Sequence, residues 1–473
     1  MTGDDGTDSS STALSTGSSG PTGPATTLDS AEATDATEAT DATQATDATE
    51  ATDATQATDA DSSSSGGGPP CGNGAPDEGE VCDDGINDGS YGGCLPGCGA
   101  LGPHCGDDVV QADEACDDAN DLNADGCNID CVESATVLWT VVFEDGAGNG
   151  TATSVAVTPA EIYVVGGGGA NWIRRLDLDG GEIWEVPYTF GRPQGVAVDA
   201  DGSIHVAGGD GRATYEDGGA VTLSQGHEFG GTHDVAVSAD GNAVAVGTVD
   251  PFYGTWVRRF ATDGGTLWTQ EEPNAGFDAA RGVAIGSEES VVVAGDTGIV
   301  PTLLDGWLRK YDSNGSEQWT YVFNSMGGST SDTFRAVATG PNDEVACVGG
   351  AGAAGTLDVW VGSFSADGDL AWSDTQSTAN GATRAEDVAI DGAGNVIVVA
   401  TMPTPVQPRT VAWVRKYAPE GVVLWTQEFN VDDADVASTT IEGVAIDPQD
   451  GILVVGAYST GADTDPWIRK IAP

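Results

Sequence analysis

The chain has 473 residues and carries 75 acidic against 16 basic side chains, a formal net charge of -59. So strong a negative charge repels phosphate and argues against nucleic-acid and anionic-membrane partners. No apolar run approaches the roughly eighteen residues of a membrane-spanning helix. Residues 1–136 hold 29 of the acids and no Lys or Arg, leaving 46 acids and every base to the remainder, so the chain has at least two physically different parts.

Residues 1–70 are rich in Ser, Thr and Gly and pass into an Ala-Thr-Asp/Glu/Gln triplet repeat between Ala33 and Ala60. With almost no apolar side chain larger than Ala, this stretch cannot bury enough surface to offset its chain entropy, and it reads as disordered. Mutual repulsion among its acids suits an extended stalk, a candidate for O-glycosylation, and an inert linker is the alternative. The segment from Met1 to Pro21 has neither a basic start nor an apolar core, so no export signal is visible in it.

Eight of the nine cysteines fall between Cys71 and Cys131, in two copies of one unit offset by 34 residues. Cys71, Cys82, Cys94 and Cys98 correspond to Cys105, Cys116, Cys127 and Cys131. Each copy places Glu two residues before its second cysteine (Glu80, Glu114) and Asp-Asp directly after it (Asp83-Asp84, Asp117-Asp118). Units this short lack an adequate core, and the absence of a C-x2-C knuckle disfavours zinc. Two disulfides per repeat are expected, with their pairing open. Asp121, Asn123 and Asp125 before Gly126 match the opening of a Ca2+ loop, but Val132 stands where the closing bidentate Glu belongs. An acidic turn fixed by disulfides is the favoured reading, with Ca2+ kept as a candidate and no other cofactor called for. The cysteine pattern of residues 71–98 and 105–131, with C-D-D after the second cysteine and D-G-C-x-x-x-C at the end of the second copy, resembles the myxobacterial-type cysteine-rich repeat.

From residue 137 a short strand containing Val-Ala recurs, at Val155, Val196, Val235, Val283, Val337, Val388 and Val444. Intervals of 39 to 56 residues match propeller blades and exceed a solenoid period. Each copy reads as four strands: the Val-Ala strand, a strand apolar at nearly every position, a Trp-x-Arg-Arg/Lys strand and a last strand with Trp. Tight Asp-Gly and Asn-Gly turns such as Asp263-Gly264, Asn314-Gly315 and Asp367-Gly368 join them. Five Trp pairs lie twelve residues apart, from Trp172/Trp184 to Trp413/Trp425, while Trp139 and Trp467 pair only if a circle closes. The predicted fold is an all-β, seven-bladed β-propeller over residues 137–473, in which the strand Val137–Phe143 completes the last blade and removes the free sheet edges. A small disulfide-rich module and the disordered acidic stalk precede it.

The repeat WLRKYDSNGSEQW at Trp307–Trp319 resembles the SBBP-type bacterial propeller repeats, and the likeness extends across residues 137–473. It implies extracellular binding or scaffold roles and no catalytic residues. A weaker likeness to quinoprotein-type Trp motifs meets an obstacle, because those propellers usually have eight blades.

Trp-x-Arg recurs at Arg174, Arg258, Arg309, Arg415 and Arg469. Repetition in blade after blade marks packing rather than a ligand feature. Cys347 sits in an apolar strand and reads as an inert core thiol. No phosphate loop, nucleophile elbow or paired metal motif is present.

Function must lie where repetition breaks. The one-to-two and three-to-four turns are tight. The two-to-three and blade-to-blade connections, such as Asp296–Gly306 and Val322–Arg335, read as long, which decorates one face. Two residues before each Val-Ala the ring reads Thr153, Gln194, His233, Arg281, Arg335, Glu386 and Glu442, all polar and all different in chemistry from one stretch of the circle to the next. The ring is expected at the channel mouth of the decorated face. Six further or shared bases, Arg192, Arg212, Arg281, Arg335, Arg384 and Arg409, and the histidines His227 and His233, are assigned to the long connections there. These bases either pair with local acids such as Asp278, Asp332 and Glu386, or leave Arg281 and Arg335 to hold a carboxylate or other anion. The expected protein is a monomeric, extracellular, non-catalytic binding or scaffold protein. Its ligand would be a protein or glycan, and it would be secreted or held at the cell surface, where an outer-membrane lipoprotein is one form. An extracellular enzyme acting on a glycan or peptide, or a quinoprotein-like one, with its site at the channel mouth is the alternative.

Overall fold

In the computed structural model the described residues are 71–473, except 113, 118–125, 129–130, 144–148, 227–229, 250–253, 274–277, 301–302, 326–330, 353–356, 378–382, 406–408, 432–437 and 462. The stalk assigned to residues 1–70, the candidate Ca2+ ligands Asp121, Asn123 and Asp125, and His227 lie outside them.

Among the described residues, seven four-stranded antiparallel sheets form a seven-bladed β-propeller. Six sheets take their strands in chain order. The seventh is completed by Val137–Val142, which pairs with Thr464–Ile471 in the register Thr140↔Arg469 and Val142↔Trp467. The Arg469 Nε donates to Thr140 Oγ1 at 2.8 Å across this seam, and Ala472 N donates to the Thr136 carbonyl at 2.8 Å.

Second strands explain why the ring has to close. Ile204–Gly208 and Val345–Ala351 are buried along their whole length. A strand apolar on both faces needs a neighbouring blade on each side. The core across the seam shows this, with Leu453, Val455 and Ile468 of the last blade packed against Val164 and Trp172 of the first.

The outer Trp of one blade clips the three-to-four turn of the next. Indole N–H groups of Trp184, Trp268, Trp319 and Trp372 donate to the carbonyls of Asp217, Ser313, Ala366 and Pro419 at 3.1, 3.0, 3.0 and 2.7 Å. The ring of Trp319 lies where a Cβ on Gly368 would come within 2.6 Å, and Gly368 also has a φ of +87°. Both close approach and left-handed backbone therefore demand glycine in that turn. The inner Trp carries its arginine as packing: Arg174, Arg309 and Arg415 lie 4.7, 5.2 and 4.8 Å over Trp172, Trp307 and Trp413. In blade two, where no Trp pair exists, Tyr188 and Phe190 take over. The Tyr188 hydroxyl donates to the carbonyls of Gly208 and Gly211, and Phe190 presses on Gly211.

Two assignments need correction. Asp296–Gly306 is not a long loop, because Val291–Val300 and Leu303–Tyr311 pair almost to their tips as an extended hairpin. Arg212 does not lie in a connection. It sits in the strand Gly211–Tyr215, buried, with its guanidinium 3.8 Å over Phe260 of the next blade and its Nε donating to Gln225. In register it takes the place that Ile173 has in the first blade, on the strand face that meets the next blade, so this arginine packs on the neighbouring core.

In the cysteine-rich region the bridges are nested: Cys71–Cys98 encloses Cys82–Cys94, and Cys105–Cys131 encloses Cys116–Cys127. The repeated acids are backbone caps. Asp83 accepts from the N–H groups of Gly72, Asn73 and Gly74, and Asp117 from those of Gly106, Asp107 and Asp108. Glu80 and Glu114 likewise accept from Asp77 N and Gln111 N. Four bridges suit an oxidising environment.

Two outcomes follow from this architecture. Deleting Val137–Phe143, or the chain from Trp467 onward, exposes the edge of the last blade and should lower the melting temperature of the whole propeller. An unchanged melt would refute closure by these strands. Peptide mapping without reduction should recover the nested pairs, and any crossed pair within a repeat would contradict the fold of that repeat.

Candidate functional site

Each of the seven innermost strands slips its register against the second strand by one residue, and it does so at the same place. The slips fall between Ala152 and Ser154, Pro193 and Gly195, Thr232 and Asp234, Ala280 and Gly282, Phe334 and Ala336, Ala385 and Asp387, and Ile441 and Gly443. The residues left out of the ladder are Thr153, Gln194, His233, Arg281, Arg335, Glu386 and Glu442. A bulge re-aims the side chain it carries, and all seven of these line a single cavity of about 500 Å³. Ser154, Arg192, Asp234, Ala336 and Asp387 complete the wall.

Charge is segregated around this ring. His233, Arg281 and Arg335 stand on three consecutive innermost strands, followed by Glu386 and Glu442. Arg335 meets Glu386 Oε2 at 2.9 Å, and Arg384 Nε lies 3.4 Å from Glu386 Oε1. Arg281 pairs with the buried Asp296, so the acid that serves it comes from the extended hairpin of its own blade. Asp278 accepts from Thr297 Oγ1 and Gly298 N, and Asp332 accepts from Ser325 and Gly352 N. About 30 % of each side chain, Arg281 and Arg335, stays exposed. Arg192 lines the cavity as an exposed residue, whereas exposed Arg409 does not line it.

His233 shares Nδ1 with the Ala280 carbonyl at 2.8 Å. Burial, with Arg281 and Arg335 nearby, drops its pKa to about 4. The ring is therefore neutral near pH 7, with Nδ1–H donating and Nε2 left as an acceptor. Burial also raises Glu442, helped by Glu386. Thr153 is used structurally, donating to the Pro193 carbonyl at 2.8 Å, and Gln194 is exposed.

Asp234 and Asp387 were not among the candidate site residues read from the sequence. They follow His233 and Glu386 directly, at positions where the other blades place Ser154, Gly195, Gly282, Ala336 and Gly443. Two acids among five small residues are the sequence signal that marks them. Each carboxylate ties two blades together. Asp234 accepts from Val235 N at 2.8 Å and Val283 N at 2.9 Å, and Asp387 from Val388 N and Val444 N at the same distances. A Cβ on Gly195 would come within 2.4 Å of Asp234 Oδ1, so the preceding blade makes room for the acid. Burial outweighs these hydrogen bonds and pushes both carboxyls up to about 7.

No protein-family model matches the chain, and no curated protein matches it significantly. Among solved structures it is similar to a protein of unknown function from Bacteroides caccae, with 14 % identity and a TM-score of 0.40 over 59 % of this chain and 98 % of that one. It is similar also to the WD40 β-propeller domain of Doa1, with 12 % identity and a TM-score of 0.46 over 70 % and 96 %. At that level neither likeness says anything of ligand or activity.

These two half-buried carboxyls make stability depend on pH with a definite sign. In the unfolded chain they ionise near the ordinary aspartate value of 3.8, whereas in the folded state they hold their protons to about 7. Their contribution is complete below the unfolded value and is lost progressively as pH rises through about 7. Melting curves of the Asp234→Asn/Asp387→Asn protein should therefore gain on those of the wild type as pH rises, levelling off above about 7. Parallel pH profiles would mean ordinary carboxyls at both positions.

Proposed function

We propose that this chain is an extracellular, non-catalytic binding or scaffold protein that recognises a protein or glycan through the loop-rich propeller face. One observation carries the reading: seven bulged side chains of differing chemistry, placed once per blade, converge on one cavity. Scaffold positions in this molecule repeat from blade to blade, and these do not. The partly exposed Arg281 and Arg335 hold an anionic group of the ligand, while His233, Gln194, Glu386 and Glu442 supply the remaining polar contacts. The nested disulfides support an oxidising exterior for the mature protein.

Within this proposal the chain divides into a stalk over residues 1–70, two cysteine-rich repeats of myxobacterial type over 71–131, and a propeller of SBBP-type repeats over 137–473. The stalk tethers a monomeric propeller at a bacterial surface, as a lipoprotein would be held.

Screening the full chain against surface glycans and bacterial surface proteins identifies the ligand. The Arg281→Gln/Arg335→Gln protein should melt below the wild type, because the buried Asp296 loses its cation, yet while still folded it should bind that ligand at least about a hundredfold more weakly, because a hydrogen bond to a charged group contributes about 1.5–3 kcal/mol. Unchanged affinity would move the site elsewhere on the propeller.

A further inference from the structure

The wall of the channel-mouth cavity contains one apolar side chain, Ala336, and no aromatic apart from the His233 imidazole. A peptide end bearing apolar side chains finds no surface there to bury against. The wall offers guanidinium donors on Arg281 and Arg335, an imidazole acceptor on His233, the Gln194 amide and the Glu442 carboxylate. That set matches a small molecule with one carboxylate and several hydroxyls. A volume of about 500 Å³ lies within the usual range of small-molecule sites.

Charge in the wall is close to balance. With His233 neutral, Arg192, Arg281 and Arg335 outnumber Glu386 and Glu442 by one, while Arg384 and Asp296, just behind the wall, offset each other. Asp234 and Asp387 then decide the sign, since the wall is cationic by one charge when both are protonated and anionic by one when both are ionised. Around Asp234 stand His233 on its own strand, Arg281 on the next blade and Asp387 across the cavity, while the preceding blade presents uncharged Gln194 and Gly195. Around Asp387 stand Glu386 on its own strand, Arg335 from the preceding blade and Glu442 from the following one.

We infer that the channel mouth is a site for a uronate-type sugar acid, gated by the charge carried on Asp234 and Asp387, the two carboxyls set among its arginines and glutamates and tied to the neighbouring blades. This rests on the binding reading above and adds its ligand class and its regulation. The gate is electrostatic, because ionisation adds two negative charges beside the carboxylate of the ligand. It is also mechanical in part, since the same carboxyls tie the innermost strand of one blade to that of the next.

Titration calorimetry of the full chain with glucuronate, with glucose as the neutral control, tests this at pH 5.5 and 8.5. Glucuronate should bind at the lower pH and weaken roughly tenfold or more at the higher, within the range of ordinary coupling between sites. Glucose should bind at neither. In the Asp234→Asn/Asp387→Asn protein the affinity seen at low pH should persist at high pH. Should that variant fail to fold, the infrared band of protonated carboxyls in the wild type should disappear with a midpoint near 7. Glucuronate affinity that ignores pH, or a band already absent at pH 5.5, would overturn the gate. No glucuronate binding at pH 5.5 would overturn the ligand class. The binding reading falls separately, if Arg281→Gln/Arg335→Gln retains full affinity for the ligand found by screening.

Discussion

The second strand of every blade is packed on both faces and, with exceptions such as the buried His205 of blade two, apolar, and the rest of the molecule follows from that constraint. Such a strand is stable only between two other sheets, so one blade cannot stand alone and an open row would leave two of its faces wet. Closing the ring covers both faces, and Val137–Val142 gives the last blade the same outer strand as the other six. Closure also brings seven innermost strands around one axis at the same height, which is how residues as distant in sequence as Thr153 and Glu442 come to share a cavity.

Two kinds of position serve this ring differently. At the rim, Trp indoles and turn glycines repeat with little change, because every blade must make the same contact with the next. At the axis, a bulge recurs in every blade while the residue on it varies. Repetition of the backbone feature gives seven equivalent mounts, and variation of the side chains gives the cavity its segregated charge. Blade two shows that even the rim tolerates a substitution, with Leu223 in the place of the outer Trp packing on the Gly264 turn and Gln225 Nε2 donating to the Gly264 carbonyl.

The electrostatics of the axis differ from those of the chain as a whole. A molecule with a net charge of -59 gathers three arginines into one cavity wall and places beside them two half-buried carboxyls whose surroundings favour their neutral form. In the cysteine-rich repeats acids play the opposite part. There Asp83 and Asp117 accept several backbone N–H groups each and act as fixed anions that fold the loop around themselves.

The sequence by itself determined the number of blades, the closing strand and the index of the ring positions. Each of these is a matter of period: the Val-Ala spacing, the Trp pairs and the unmatched Trp139 and Trp467 are properties of the chain read in one dimension. Tertiary structure decided what depends on which groups meet across blades. Repeat spacing left the disulfide pairing open, because any of the four cysteines in a unit is near enough to pair, and the fold selected the nested one. Arg281 takes Asp296, where local sequence suggested Asp278, because a hairpin that reads as a loop is paired almost to its tip. Arg212 leaves the loop face for the Phe260 ring because it stands on the face of its strand that meets the next blade. Asp234 and Asp387 acquire their raised carboxyls only from burial between neighbouring blades, and burial is set by the assembled ring rather than by any residue near them in the chain.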